Sequence, residues 1–202
     1  MPLPRSFYFL RHGETDWNRA LRVQGWTDIP LNDTGRAQAG TAIAHLRGLD
    51  IDHIVASPLV RAKETADIVN TALDLPIITD ADLRERHFGQ LEGAPAEDFK
   101  AFVAKGQCIS ELCEENGYPC PEGGESYADF KARVLSSMTR HLENFAGKNV
   151  LFVAHGGLYR VLCRAIATVP LTHSPNAAPF RFEKAAGRWQ LYDLAEKLYK
   201  SA

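Results

Sequence analysis

Two apolar stretches of the chain each end in a histidine that is followed by glycine. They are residues 7–10, before Arg11-His12-Gly13, and residues 149–154, before His155-Gly156. Short apolar runs of this kind predict buried strands, and ligands of open α/β sheets bind beyond the carboxyl ends of the strands. A guanidinium and an imidazole in that place favour an anion, and phosphate fits best. Gly13, which has no Cβ, would let such a ligand approach the backbone closely.

A third apolar stretch, His53–Ala56, brings a further cation to the same edge of the predicted sheet. It is followed by Ser57 and Pro58, which have the pattern of a helix N-cap and a proline in the first helical position, and a helix is predicted over residues 59–73. Arg61 lies in the first turn of this helix, where the helix dipole disfavours a cation. A bound anion at the helix N-terminus would offset that cost, whereas the alternative is an ordinary solvated arginine.

Other polar residues suited to chemistry lie in two loops. Asn18 and Gln24 belong to a turn-rich loop over residues 16–31 and are its side chains best suited to hydrogen-bond a substrate. Glu85 lies between two arginines in a charged loop framed by glycines. It is either a plain ion-paired carboxylate or a proton donor, and the second role requires that it be protonated part of the time.

The arrangement of the strands decides whether these groups meet. If the strands before His12 and His155 are parallel neighbours, both imidazoles lie at one edge of the sheet, near Arg11 and Arg61. Two guanidiniums and two imidazoles offer many donors to a tetrahedral phosphoryl group. One imidazole, kept neutral, is instead able to act as a nucleophile. The sequence therefore predicts a site for phosphoryl chemistry.

Composition narrows the class of protein. The 202 residues are 45% hydrophobic and 24% charged, with a formal net charge of −2. This balance is typical of a soluble globular domain and argues against a partner that is a nucleic acid or an anionic membrane. No apolar run has the length of a transmembrane helix, and the N-terminus lacks the apolar segment of a signal peptide. With four cysteines in no disulfide pattern, we expect a cytoplasmic protein.

Motifs in four blocks, in order along nearly the whole chain, resemble the histidine phosphatase superfamily, which includes the cofactor-dependent phosphoglycerate mutases. The motifs are Leu10-Arg11-His12-Gly13-Glu14-Thr15 with Trp17-Asn18 and Gly25-Trp26-Thr27-Asp28, then Ser57-Pro58-Leu59 with Arg61-Ala62, then residues 83–89, and finally Ala154-His155-Gly156. As a set these motifs are specific, although Arg-His-Gly alone is not.

The resemblance implies a catalytic role for five residues. His12 would attack phosphorus and become phosphohistidine. Arg11, Arg61 and His155 would bind the phosphoryl oxygens and stabilise the transition state. Glu85 would protonate the leaving oxygen and then activate water or an acceptor hydroxyl.

The resemblance also bears on substrate, metal and cofactor. Asn18, Gln24 and Gly156 match positions that contact substrate or phosphate in relatives. The family needs no metal, and we expect no metal and no cofactor here. Zinc remains an alternative for three of the cysteines, although no Cys-x-x-Cys pair is present; they are Cys108, Cys113 and Cys120.

The choice between phosphatase and mutase depends on a turn-rich insertion at about residues 94–124. A mutase must retain a bisphosphorylated intermediate under extra cations, yet between Ala94 and Glu125 the only cations are Lys100 and Lys105, against seven acidic residues. The sequence therefore favours a phosphatase that acts on a small phosphorylated metabolite. A 2,3-bisphosphoglycerate-dependent phosphoglycerate mutase is the alternative. A non-catalytic phospho-ligand-binding protein is the third interpretation. The presence of both His12 and Glu85 disfavours it, although a fold does not by itself fix a function.

The order of elements predicts one domain over residues 1–202, a three-layer α/β/α sandwich with a mainly parallel sheet and a small cap at about 94–124. A short strand over residues 76–79 and a hairpin over residues 180–191 complete the sheet, and the hairpin is either an exposed edge or the seam of a homodimer. Further helices are predicted over residues 32–48, 97–105, 126–145 and 158–168.

Overall fold

A sheet of seven strands, counted over the described residues, forms the centre of the molecule. A computed structural model describes residues 3–105, 120–166 and 174–200. The strands are β1 (Phe7–Arg11), β2 (His53–Ala56), β3 (Ile77–Thr79), β4 (Val150–Ala154), β5 (Pro179–Ala185), β6 (Arg188–Asp193) and β7 (Leu198–Lys200). β3, β2, β4 and β1 pair in parallel, and β5 to β7 extend the sheet through antiparallel pairs.

The register of β1 and β4 brings the two histidine motifs together. These strands are parallel neighbours in which Arg11 lies opposite Ala154. The backbone N–H of His12 continues the ladder and donates to the Ala154 carbonyl at 2.9 Å. His12 and His155 therefore both leave the sheet at its carboxyl edge, as the sequence predicted.

Helices cover both faces of the sheet. They are α1 (Asp16–Arg19), α2 (Asp33–Leu46), α3 (Val60–Leu73), α4 (Ala96–Lys105), α5 (Tyr127–Asn144) and α6 (Gly156–Ile166). Because side chains alternate along a strand, Phe7 and Phe9 of β1 join a core with α5 and α6, whereas Tyr8 and Leu10 join a second core with α2 and α3. The predicted three-layer sandwich with a mainly parallel sheet is confirmed.

Two short elements and two helix starts differ from the sequence prediction. The stretch after β1, predicted as a loop, contains the short helix α1, because Thr15 and Asn18 form a capping box. α3 begins at Val60 without the predicted Ser57 cap. α6 begins at Gly156, directly after His155 and two residues earlier than predicted. The short strand β7 was not predicted.

The predicted cap is described only in part. α4 matches the helix predicted over residues 97–105. Cys108, Cys113 and the end of the helix predicted to reach residue 168 lie outside the described residues. Within the described ranges, none of the helices is both long and apolar enough to cross a membrane.

Candidate active site

A cavity of about 220 Å³ lies at the carboxyl edge of β1 and β4. Seven of the eight site residues predicted from the sequence line it, namely Arg11, His12, Asn18, Gln24, Arg61, Glu85 and Gly156. The eighth, His155, lies directly behind, with its ring centroid 5.2 Å from that of His12. The fold thus brings together groups that are up to about 140 positions apart in the sequence.

The state of His12 follows from its surroundings. Its Nδ1 lies 2.7 Å from the Gly13 carbonyl, and because a carbonyl only accepts, Nδ1 carries the proton. Burial, together with the positive charges of Arg61 and Arg11, lowers the pKa of His12 well below its usual value. The imidazole is therefore neutral near pH 7, with its lone pair on Nε2. That is the protonation state a nucleophilic histidine requires.

His155 is fully buried and contacts Ser57, which follows the neighbouring strand β2. Its Nε2 lies 2.8 Å from Ser57 Oγ, and Ser57 Oγ also accepts the Leu59 N–H at 3.3 Å. We assign the Ser57 hydroxyl hydrogen to Nε2 and the proton of His155 to Nδ1, which has no acceptor among the described residues. Burial, followed by the charge of Arg61, lowers the pKa of His155 well below its usual value. His155 is therefore a neutral donor.

Two guanidiniums, one fully buried and one partly buried, bring positive charge next to the two histidines. Arg61 is 0% exposed and donates to the carbonyls of Thr27 at 3.0 Å and Gly25 at 2.7 Å. Arg11 donates to the Ser174 carbonyl. Burial lowers the pKa of each arginine to about 10, so both remain charged near pH 7.

Buried donors without partners indicate what the cavity binds. In the described part of the chain, Arg11 Nε, Arg61 Nε and His155 Nδ1 are buried and have no hydrogen-bond partner. Such groups are costly unless a ligand satisfies them. Three donors, two of them cationic, fit the oxygens of a phosphoryl group.

Glu85 carries the only carboxylate among the described residues that line the cavity. Its Oε2 accepts the backbone N–H of Gly157 at 2.8 Å, and its Oε1 accepts that of Arg86 at 2.8 Å. A Cβ on residue 157 would lie 2.0 Å from Oε1, so glycine at this position lets the carboxylate sit against the first turn of α6. The carboxylate is placed to exchange a proton with a ligand in the cavity.

Asn18 and Gln24 flank Thr15 on the cavity wall. Asn18 Oδ1 accepts the Thr15 N–H at 3.2 Å, and Gln24 Oε1 accepts the Thr15 hydroxyl at 3.0 Å. Because each amide oxygen is occupied within the protein, the NH₂ groups remain for a ligand. This suits an anion, in agreement with the substrate contacts that the resemblance implies. Gly156 lies beside Arg11, whose Nε would be 3.4 Å from an added Cβ.

The structure gives Gly13 a role that the sequence did not predict. A Cβ at this position would lie 2.4 Å from the backbone oxygen of Gly35 at the start of α2. The close packing of two backbone segments therefore requires glycine here.

Some residues that shape the site were missed in the sequence. Ser57 was assigned as a helix cap, although its place after β2, next to β4, could have indicated a contact with His155. Asn176, whose Nδ2 donates to the His12 carbonyl at 3.0 Å, and Arg133, which donates to the Glu85 carbonyl at 2.9 Å, belong to no local motif. Only the tertiary structure reveals them.

Metal ligation finds little support in the described residues. No group of three or more histidine, cysteine, aspartate or glutamate side chains suited to a metal ion occurs among them. Cys120, which we considered as a zinc ligand, is an exposed free thiol.

A neutral buried imidazole, flanked by two guanidiniums and a carboxylate, defines a site for phosphoryl transfer. The family model described as histidine phosphatase superfamily (branch 1) matches residues 7–197. The chain belongs to this superfamily, as the sequence motifs predicted.

The relatives include proteins named as phosphatases and as mutases. The chain is 36% identical over 188 residues to the uncharacterised phosphatase PhoE of Bacillus subtilis, and the match covers 91% of each protein. It is 35% identical over 164 residues to the probable phosphoglycerate mutase GpmB of Yersinia pestis, covering 81% of this chain and 75% of that one.

Among solved structures, a mycobacterial glucosyl-3-phosphoglycerate phosphatase in complex with VO3 is similar with a TM-score of 0.74 and 30% identity, covering 94% of this chain and 98% of that one. A phosphoglycerate mutase from Thermus thermophilus is similar with a TM-score of 0.67 and 31% identity, covering 91% of this chain and 95% of that one.

Proposed function

We propose that this protein hydrolyses small phosphomonoesters through a phosphohistidine on His12, with Glu85 as the proton donor. The observation that carries the proposal is the state of His12. Its Nδ1 is held by the Gly13 carbonyl at 2.7 Å, and its pKa is lowered by burial and by two arginines. A neutral imidazole with a free Nε2, in a pocket of unpaired cationic donors, is suited to attack phosphorus.

In the first step the lone pair of His12 Nε2 forms a bond to phosphorus, and the ester P–O bond breaks on the opposite side. Arg11, Arg61 and His155 donate to the phosphoryl oxygens, where negative charge is concentrated. Protonated Glu85 gives its proton to the leaving oxygen, so that an alcohol departs.

In the second step the Glu85 carboxylate takes a proton from water while the water oxygen bonds to phosphorus. The bond between Nε2 and phosphorus breaks, and its electron pair returns to the imidazole. Inorganic phosphate is released, and His12 and Glu85 return to their starting protonation states.

The size of the cavity supports a small substrate. At about 220 Å³ it is smaller than the pockets that take drug-sized ligands, which are roughly 300–1,000 Å³. The walls combine Arg22 and Arg160 with the aromatic rings of Phe88, Phe99 and Tyr159. The proposed substrate class is therefore a small phosphorylated metabolite.

Mutase activity is the second candidate, because one relative and one solved structure reported above are named as phosphoglycerate mutases. The acidic composition of residues 94–125 disfavours it, since this segment has only two lysines to offer a second phosphate, against seven acidic residues. The named phosphatases among the relatives support hydrolysis instead.

The test is phosphorus NMR of one mixture containing 3-phosphoglycerate, a trace of 2,3-bisphosphoglycerate and several other phosphomonoesters. We expect inorganic phosphate to grow with the wild-type protein and not with His12→Gln. His45→Gln, which changes a histidine of the outer helix α2, is the matched control and should retain activity. Growth of 2-phosphoglycerate without phosphate would identify a mutase. Binding of the esters without any turnover would instead identify a phospho-ligand-binding protein.

A further inference from the structure

The loop that carries Glu85 is held by its backbone carbonyls. The Glu85 carbonyl accepts from Trp26 Nε1 at 2.7 Å and from Arg133 Nη2 at 2.9 Å. Arg133 Nη1 also donates to the carbonyls of Asp82 at 2.7 Å and Arg84 at 2.8 Å. One guanidinium on α5 thus binds three carbonyls within four residues of the loop.

Arg133 is itself fixed in place. Its Nε and Nη2 donate to the two carboxylate oxygens of Glu125 at 2.6 and 2.7 Å, and the two side chains are only 16% and 14% exposed. The backbone of Glu125 also bonds to the same loop. Its carbonyl accepts from Arg86 Nε at 2.9 Å, and its N–H donates to the His87 carbonyl at 2.9 Å. A bidentate, partly buried pair of this kind fixes geometry as well as charge.

Trp26 is also fixed by several contacts. The Arg84 guanidinium lies 3.7 Å from the centre of its ring, and the His87 ring stacks on it with a centroid distance of 4.6 Å. Its backbone N–H donates to Glu92 Oε1 at 2.8 Å. Stacking and cation–π contacts leave the indole N–H little freedom to move away from the Glu85 carbonyl.

We propose that Arg133 and Trp26 are positioning residues that keep the Glu85 carboxylate at the leaving group. The proposal rests on the proposed function, in which Glu85 is the proton donor. Two backbone N–H groups hold the carboxylate itself, but they fix it only while the loop beneath it stays in place. Neither Arg133 nor Trp26 is among the described residues that line the cavity, so neither would touch the substrate itself, and both reach the leaving group through the loop of Glu85.

A positioning role differs from a merely structural role in what it does to substrate preference. An alkyl ester needs a proton on its leaving oxygen, whereas an activated aryl ester such as p-nitrophenyl phosphate does not. Loss of folded protein lowers the rates on both esters equally. Displacement of Glu85 lowers the alkyl rate more, so the ratio of alkyl to aryl kcat/KM reports the position of Glu85 alone.

The experiment compares Trp26→Phe, Arg133→Lys and Arg133→Met on glycerol 3-phosphate and p-nitrophenyl phosphate. Misplacement of a catalytic group by about 1 Å costs on the order of 100-fold, so we expect the ratio to fall about 100-fold in Arg133→Met. A fall of about 10-fold is expected in Trp26→Phe, which keeps the ring and loses one N–H. Arg133→Lys, which keeps the charge, should recover part of the ratio. Arg140→Met, on the same helix and paired with Asp80 at 2.6 Å, is the control and should leave the ratio unchanged.

Glu85→Gln, measured in parallel, separates the two proposals. If its ratio falls while those of Trp26→Phe and both Arg133 variants stay at the wild-type value, the positioning role is wrong and the role of Glu85 stands. An unchanged ratio in Glu85→Gln would overturn the proton-donor role and the positioning role with it. Should Arg133→Met fail to fold, Trp26→Phe and Arg133→Lys decide the question, since an unchanged ratio in both contradicts the proposal.

Discussion

The two sides of the cavity are built in different ways. The side proposed to face the phosphoryl group, called the phosphoryl side, consists of residues at strand ends and on the helix beside them, namely Arg11, His12, Arg61 and His155. The side proposed to face the leaving group, called the Glu85 side, consists of Glu85 on a loop, and side chains from other segments hold this loop by its carbonyls. In the first side His12, Arg61 and His155 are buried, whereas the position of Glu85 depends on a few specific hydrogen bonds.

This difference matches what each side must recognise. Every phosphomonoester presents the same phosphoryl group, so one rigid set of donors serves all substrates. Leaving groups differ in shape and in their need for a proton, so the second side determines the preference among esters. Changes on the phosphoryl side should therefore affect all esters alike, and changes on the Glu85 side should not.

Among the changes to the phosphoryl side, Arg61→Met should lower kcat/KM the most. Removing a buried cationic donor that stabilises transition-state charge costs about 10²–10³-fold, and we expect kcat/KM to fall by that factor on alkyl and aryl esters alike. Steady-state kinetics on glycerol 3-phosphate and p-nitrophenyl phosphate measures this. Arg36→Met, at an arginine whose side chain is 46% exposed, is the control. A loss confined to the alkyl ester would contradict the division between the two sides.

The histidine pair should make folding stability depend on pH. The pKa values of His12 and His155 are lowered by burial in the folded protein, and in the unfolded chain they lie near 6.5. Below that pH the unfolded chain binds protons that the folded chain does not, so stability falls as pH decreases, by about 1.4 kcal/mol per pH unit for each histidine. Urea unfolding between pH 6 and 5 measures the slope.

The same titration should give a shallower slope in His12→Gln, by about 1.4 kcal/mol per pH unit. An unaltered slope would show that His12 is not held neutral by the fold. Asp80, which anchors α5 to β3, provides a contrast, because burial raises its pKa but hydrogen bonds from Ser137 and His141 outweigh this and lower the pKa to about 2. Its contribution to stability is complete above about pH 4 and is lost only as the pH falls towards 2.

Ser57→Ala should have the smallest effect and sharpens the comparison. The variant removes the hydroxyl whose Oγ lies 2.8 Å from His155 Nε2 and orients the imidazole. A hydrogen bond is worth about 1 kcal/mol, so we expect kcat/KM to fall roughly 5–10-fold. Because His155 belongs to the phosphoryl side, the alkyl to aryl ratio should not change, in contrast to Trp26→Phe. Ser136→Ala, on the exposed face of α5, is the matched control. A change in the alkyl to aryl ratio with Ser57→Ala would show that His155 does not belong to the phosphoryl side.

The same contrast explains how much the sequence could predict. Strand ends carry strong signals, because an apolar run that stops at a charged residue and glycine is visible locally. This is why Arg11, His12 and His155 were found from the residue pattern. The sequence named the parallel pairing of β1 and β4 only as the condition for their meeting, and the structure meets this condition. The prediction of Arg61 depended on the helix that follows β2. A single arginine in a first helical turn gave no signal that its side chain would be buried.

The Glu85 side was much less accessible to prediction. Glu85 was identified through the family resemblance, since an acid between two arginines reads as an ordinary ion pair. Arg133 lies 48 positions further along the chain, and no periodicity connects it with the loop. The packing of Gly13 against Gly35 and the contact of Ser57 with His155 were missed for the same reason, because the contacting segments are distant in the sequence.

The central claim is that His12 accepts the phosphoryl group, and trapping the phosphorylated protein tests it most directly. The wild-type protein is mixed with p-nitrophenyl phosphate, denatured in alkali, in which phosphohistidine survives, and digested with trypsin. Mass spectrometry should locate the phosphoryl group on the peptide of residues 12–19, whose only histidine is His12. Glu85→Gln should accumulate more of this species, because the base that activates water is lost. A phosphoryl group on any other peptide, or phosphate release by His12→Gln at the wild-type rate, would contradict the account.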